Sequence, residues 1–63
     1  DDWHVADVES LLGAVLAAEG RPAEAGTLLA GSYRILARTR GEHAAVTRDA
    51  LRRLRSAAAP PLI

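Results

Sequence analysis

The chain contains no cysteine, and Phe, Met and Lys are also missing. Without cysteine no disulfide can staple the fold and no thiolate zinc site can form. The only aromatics are one Trp and one Tyr. Long apolar runs are absent as well. The longest, Leu11–Ala18, is far below the roughly 20 residues a membrane-spanning helix needs. No basic-then-apolar signal segment opens the chain. No Gly-rich phosphate loop is present, and Gly41-Glu42-His43 does not resemble one. The first residue is Asp rather than Met, so a processed chain, or one cut from something longer, is expected. The 63 residues bound the molecule to at most one small domain. A chain this short buries only about 60% of the surface its unfolded form exposes and usually needs a disulfide, a metal or a neighbour. Neighbours, either more of the same chain or a second copy, are the remaining option.

Ala is the commonest residue at 14 and Leu follows at 9. Both are strong helix formers, and little in the composition favours strands. All 8 basic residues are Arg, and this Lys-free, Ala/Arg-rich usage points to a GC-rich bacterial source. Net charge is zero but unevenly spread. Residues 1–33 hold six acids against one Arg, a balance of −5, and residues 34–63 hold seven Arg against two acids, a balance of +5. The halves therefore attract each other, or two copies meet head to tail.

The spacing predicts three helices, at about 3–19, 22–39 and 43–58, in an all-α fold: an antiparallel hairpin plus a third helix alongside. Pro60-Pro61 should end the third helix and open a tail at 60–63. Asp1 and Asp2 suit the positive end of the first helix. Val5, Val8, Leu11, Leu12, Val15 and Leu16 recur at three-four spacing and predict its buried stripe. On that reading Leu12→Ala should cost about 2–5 kcal/mol. Trp3 should pack its ring at the helix entrance. Gly20 is a natural left-handed stop and Pro22 a natural first helical residue. The second stripe is Ala25, Leu28, Leu29, Ser32, Ile35 and Leu36. Gly26 and Gly31 interrupt it at a cost of about 1 kcal/mol each, either to admit a close helix or as tolerated flaws. Gly41 closes the second helix. Val46/Thr47, Ala50, Leu51, Leu54 and Ala58 form the third stripe, with Arg48, Arg52, Arg53 and Arg55 on its other faces and Asp49–Arg53 as an i,i+4 pair. Leu12 and Leu54 lie 42 residues apart, as do Val8 and Ala50. The third helix thus reads as the first helix of a following unit.

Leu12-Gly13, Leu16, Gly20-Arg21, Glu24-Ala25, Leu29 and Ser32-Tyr33 together resemble the tetratricopeptide repeat (TPR) family, in its 42-residue variety. More narrowly, Trp3 to Leu54 resembles the C-terminal repeats of arrays in bacterial serine/threonine kinases and related signalling proteins. The chain departs from the pattern at Leu16 (usually Tyr), Ser32 (commonly Ala) and Ala44 (usually Pro). The resemblance implies a cytoplasmic, non-catalytic scaffold that stacks with neighbouring repeats of its parent chain and binds a protein or peptide in a concave groove. By spacing from Leu12-Gly13, the groove residues would be Asp7, Ser10, Ala14, Ala17 and Ala18, and the helical wheel sets them opposite the Val5–Leu16 stripe. The family's Lys/Asn carboxylate clamp is absent, so binding of acidic chaperone tails is not expected.

No catalytic, cofactor-binding or metal-ligating constellation is expected. His4 and Asp7 could form half a metal site, but no third ligand is spaced to join them. His43 reads as a loop residue, and Ser10, Ser32 and Ser56 have no adjacent base. The alternative is a small nucleic-acid-binding domain with Arg48, Arg52 and Arg55 as its anion-contacting face. Zero net charge and the lack of aromatics among these Arg residues weigh against it. A free-standing helical oligomer is the third possibility.

Overall fold

In the computed structural model residues 2–58 are described, and they form three helices: α1 (Trp3–Ala18), α2 (Pro22–Arg40) and α3 (Ala45–Ala58). The expected boundaries hold to within one or two residues. Asp1 and the expected tail at 60–63 lie outside the described residues.

Each boundary has a local cause. The Asp2 carboxylate accepts the His4 backbone N–H at 2.9 Å, satisfying one of the orphan donors of α1. At the other end Arg21 N–H donates to Leu16 O at 3.0 Å and Gly20 N–H to Ala17 O at 3.1 Å. This pair of bonds closes a helix through a left-handed residue, and Gly20 supplies it with φ 78°. Pro22 then opens α2, where its missing N–H costs nothing. Arg21 offers no side-chain cap. Instead its guanidinium grips both oxygens of Glu24 at 2.8 Å. Gly41 ends α2 with φ 88° and ψ 156°, a region essentially closed to residues with a Cβ. A link so short between α1 and α2 folds them back as an antiparallel pair. α3 packs chiefly on α2 and more lightly on α1.

The α2 stripe is largely where the spacing places it: Ala25, Leu29, Ser32 and Leu36 are buried, whereas Leu28 and Ile35 are half-buried at its edges. The α1 stripe is not. Val5, Val8, Leu11, Leu12 and Val15 are all exposed, Val8 at 64% and Leu12 at 49%. The face that α1 buries is Ala6, Ser10 and Gly13. Hydrophobicity measures what a side chain gains by burial, whereas a close helix contact depends on how near the backbones can come. Gly13 decides this. A Cβ there would lie 2.7 Å from Leu29 Cγ and 2.9 Å from Leu29 Cδ2, so Leu29 fills the notch. The expected cost of Leu12→Ala falls with this correction, because a half-exposed Leu leaves little cavity.

The shared core is Ala6, Leu36 and Ala50, with Trp3, Tyr33, Ile35 and Val46 packed around it. On α3, Thr47 and Ala50 are buried, whereas Ala58 is exposed. Thr47 Oγ1 donates to Leu36 O at 3.2 Å and Ser32 Oγ to Leu29 O at 3.1 Å, so these buried hydroxyls carry no desolvation penalty. Gly26 and Gly31 face open space, with nothing within 4 Å of an added Cβ. Among the described residues they admit no close helix. Among the described residues no helix is long and apolar enough to cross a membrane.

Candidate partner-binding groove

Because α3 follows α2 at its far end and turns back, its outer half runs beside α1. The two helices leave a cleft of about 550 Å³ between them, lined by Ala14, Ala17, Ala18, Arg52, Arg53, Ser56 and Ala57. One wall is almost all backbone and methyl groups. The other presents two guanidinium groups. Ala14, Ala17 and Ala18 belong to the expected groove set.

The other two members of that set sit differently. Ser10 is fully buried, and its Oγ accepts from Arg53 Nη1 at 3.0 Å. No partner can reach it, because the Arg53 guanidinium covers it. Asp7 is half-buried, with Oδ1 3.9 Å from the same Arg53 nitrogen. Ser10 and Asp7 therefore hold Arg53 in place rather than line the floor. The expected Asp49–Arg53 pair is replaced for the same reason. Arg53 turns toward α1, and Asp49 instead pairs with Arg52 at 2.9 Å. The attraction expected between acidic and basic halves thus has a concrete form in Arg53 and Asp7. Arg53 is only 21% exposed and Asp7 33%, so this pair is screened less than the surface pair Arg52–Asp49.

Arg52, Arg53, Ser56 and Ala57 were missing from the expected groove, yet a signal for two of them existed. Moving the groove set forward by the 42-residue period gives Arg52 from Ser10 and Ser56 from Ala14. The anion-contacting alternative, Arg48, Arg52 and Arg55, is exposed throughout. Arg52 is shared between the cleft and an ion pair with Asp49.

His4 does not join Asp7. Its Nδ1 lies 3.2 Å from Asp2 Oδ1, and its ring stacks on Trp3 at 3.8 Å between centroids. The Arg40 guanidinium sits 4.7 Å over the Trp3 ring, a cation–π contact tying the end of α2 to the start of α1. The His4 backbone hydrogen bond, and then the His4 side chain, hold the Asp2 carboxyl below its usual pKa of 3.8. His43 is exposed in the link between α2 and α3. A second, shallower depression of about 410 Å³ opens beside the hairpin turn, against Leu16, Ala23, Glu24, Thr27 and Leu28. Comparison with known families, characterised proteins and solved structures returned no match to this chain.

Proposed function

We propose that this chain is a non-catalytic protein-interaction module of TPR-like design, the C-terminal end of a helical repeat array that takes a peptide or protein segment in the α1/α3 cleft. The supporting observation is the cleft itself. Two helices whose first residues, Trp3 and Ala45, lie 42 positions apart flank a concavity floored by Ala14, Ala17 and Ala18. Small side chains let a partner's backbone approach closely. The fixed Arg53 and exposed Arg52 supply hydrogen-bond donors for its carbonyl or carboxylate oxygens. Nothing in this reading requires chemistry, a cofactor or a metal. The parent in this reading is a bacterial, cytoplasmic signalling protein, with any kinase activity lying in another part of it.

The test is selection of displayed peptides against the chain, followed by affinity measurement on two variants. Ala18 is exposed, so Ala18→Arg should fold normally yet block the cleft. Selected peptides should lose at least tenfold in affinity on Ala18→Arg and little on Thr27→Arg, which lies by the other depression. Peptides indifferent to Ala18→Arg, or selected peptides whose NMR shift changes map away from α1 and α3, would overturn the reading.

A further inference from the structure

The Ser and Thr side chains differ in what holds them. Ser10, Ser32 and Thr47 are buried, and each is hydrogen-bonded: Ser10 to Arg53, Ser32 to Leu29 O and Thr47 to Leu36 O. Thr27 and Thr39 are exposed but turn back on their own helix, donating to Ala23 O and Ile35 O. Ser56 is exposed and stands on the wall of the α1/α3 cleft with Arg52 and Arg53. It closes the run Arg52-Arg53-Leu54-Arg55-Ser56, with Arg one, three and four positions before it. Neither Thr27 nor Thr39 has an Arg three or four positions before it.

We propose that Ser56 is a phosphorylation site for an Arg-directed serine/threonine kinase, and that its phosphate draws in Arg52 and Arg53 and shuts the cleft to peptides that need their donors. The closure rests on the cleft reading above; the modification itself does not.

A kinase with an acid-lined substrate groove reads cationic side chains at fixed positions before the accepting hydroxyl, and Arg52 and Arg53 supply them. Such a groove takes an extended segment, so the end of α3 must open. Ser56 lies in the final turn, two residues before Ala58, where backbone carbonyls already lack intrahelical donors. Beyond Ala50 no described residue of α3 is buried, so little apolar contact is lost on opening. In the transfer the γ-phosphoryl group of a nucleoside triphosphate passes to Ser56 Oγ. The Oγ–P bond forms, the bond to the β-phosphate oxygen breaks, the diphosphate leaves, and the hydroxyl proton goes to the kinase's catalytic carboxylate. The phosphate then carries a charge of about −1.5 to −2. In the re-formed helix, residues three and four apart are neighbours, so Arg52 and Arg53 are the cations beside it. Arg52 is paired with Asp49 at 2.9 Å on the surface, a contact that contributes little and that a doubly charged acceptor displaces. Arg53 uses one nitrogen on Ser10 and has further N–H groups for the phosphate. Those same donors are what the cleft offers a peptide's oxygens. The helix dipole disfavours a phosphate at a C-terminal turn, so the two Arg residues are what hold it there.

A chain of 63 residues is within reach of chemical synthesis, so phosphoserine can be placed at position 56 directly as well as by an enzyme. The full chain, incubated with an Arg-directed kinase and MgATP, should gain one phosphate, mapped to Ser56 by mass spectrometry. Arg53→Gln should slow incorporation by about tenfold or more, although loss of the Ser10 contact loosens this end of α3 and by itself would speed it. Phosphate on Thr27 or Thr39, no incorporation, or an unchanged rate in Arg53→Gln would overturn the acceptor site. In the synthetic phosphoprotein the phosphorus NMR signal should titrate with a midpoint below that of the same group in Arg52→Gln, because adjacent guanidinium groups favour the dianion. Equal midpoints would overturn the Arg contact. Peptides selected on the unmodified chain should bind the phosphoprotein about tenfold more weakly, and undiminished binding would overturn the closure. If no peptide binds the cleft of the unmodified chain, the cleft reading fails and the closure with it, while the mapping and the titration still decide Ser56.

Discussion

Gly13→Ala should destabilise the chain although Ala is the better helix former. An interior Gly-to-Ala change gains about 0.8–1 kcal/mol in helix propensity. Here the new methyl would lie 2.7 Å and 2.9 Å from two Leu29 carbons and 3.4 Å from the Ala25 carbonyl oxygen. Leu29 is fully buried, so it cannot relieve the clash by swinging into solvent. Overpacking of this kind costs about 1–3 kcal/mol. With two contacts under 3 Å the upper end applies, leaving a net loss of about 1–2 kcal/mol. In a domain of this size that lowers Tm by roughly 4–16 °C, at about 4–8 °C per kcal/mol. The assay is urea and thermal unfolding followed by far-ultraviolet circular dichroism. The decisive measurement is the double variant. Leu29→Ala costs about 2–5 kcal/mol and is studied in a stabilising osmolyte. In that background Gly13→Ala should change sign and stabilise by about 1 kcal/mol, because the clash is gone and the propensity gain remains. A Gly13→Ala variant that melts at or above the parent would refute the notch. So would a Gly13→Ala effect of the same sign with Leu29 present and absent.

Gly31→Ala should behave oppositely, raising stability by about 0.5–1 kcal/mol in the single chain, since its Cβ meets open space; a melting curve checks it. Arg53→Met should leave the buried Ser10 hydroxyl without its donor and cost about 1–3 kcal/mol, read by chemical denaturation. Asp2→Ala should lose the α1 cap and lower the melting temperature of the chain. Because the Asp2 carboxyl is held below 3.8 in the folded chain, its contribution is fully present above that pH and disappears as pH falls through the lower folded value. Titration of the Asp2 carboxyl carbon by NMR should therefore show a midpoint below 3.8, and a midpoint above it would contradict the cap.

The helices, their ends and the turn at residues 20–22 were all legible in the chain order. Those features are set locally, by Asp2 as a cap, Gly20 and Gly41 at positive φ, and Pro22 at a helix start. The α2 stripe was legible for a related reason. A helix covered by neighbours on one side must place Leu29 and Leu36 there, and their three-four spacing with Ala25 and Ser32 shows it. Ala14, Ala17 and Ala18, which the family resemblance sets in a groove, do line the cleft.

Three-dimensional packing settled the rest. Two faces of α1 competed for the hairpin, one rich in Val and Leu, the other in Ala, Ser and Gly. Apolar content favoured the first. Close approach of α2, with Leu29 seated at Gly13, selected the second. Spacing along the chain likewise paired Arg53 with Asp49, which lies within reach on the same helix, whereas Asp7 becomes its neighbour only when α3 folds back beside α1. Local chemistry fixes where a helix begins and ends, since caps and turns involve residues a few positions apart. It does not fix which side of the helix meets its neighbour, because that depends on shapes brought together from distant parts of the chain.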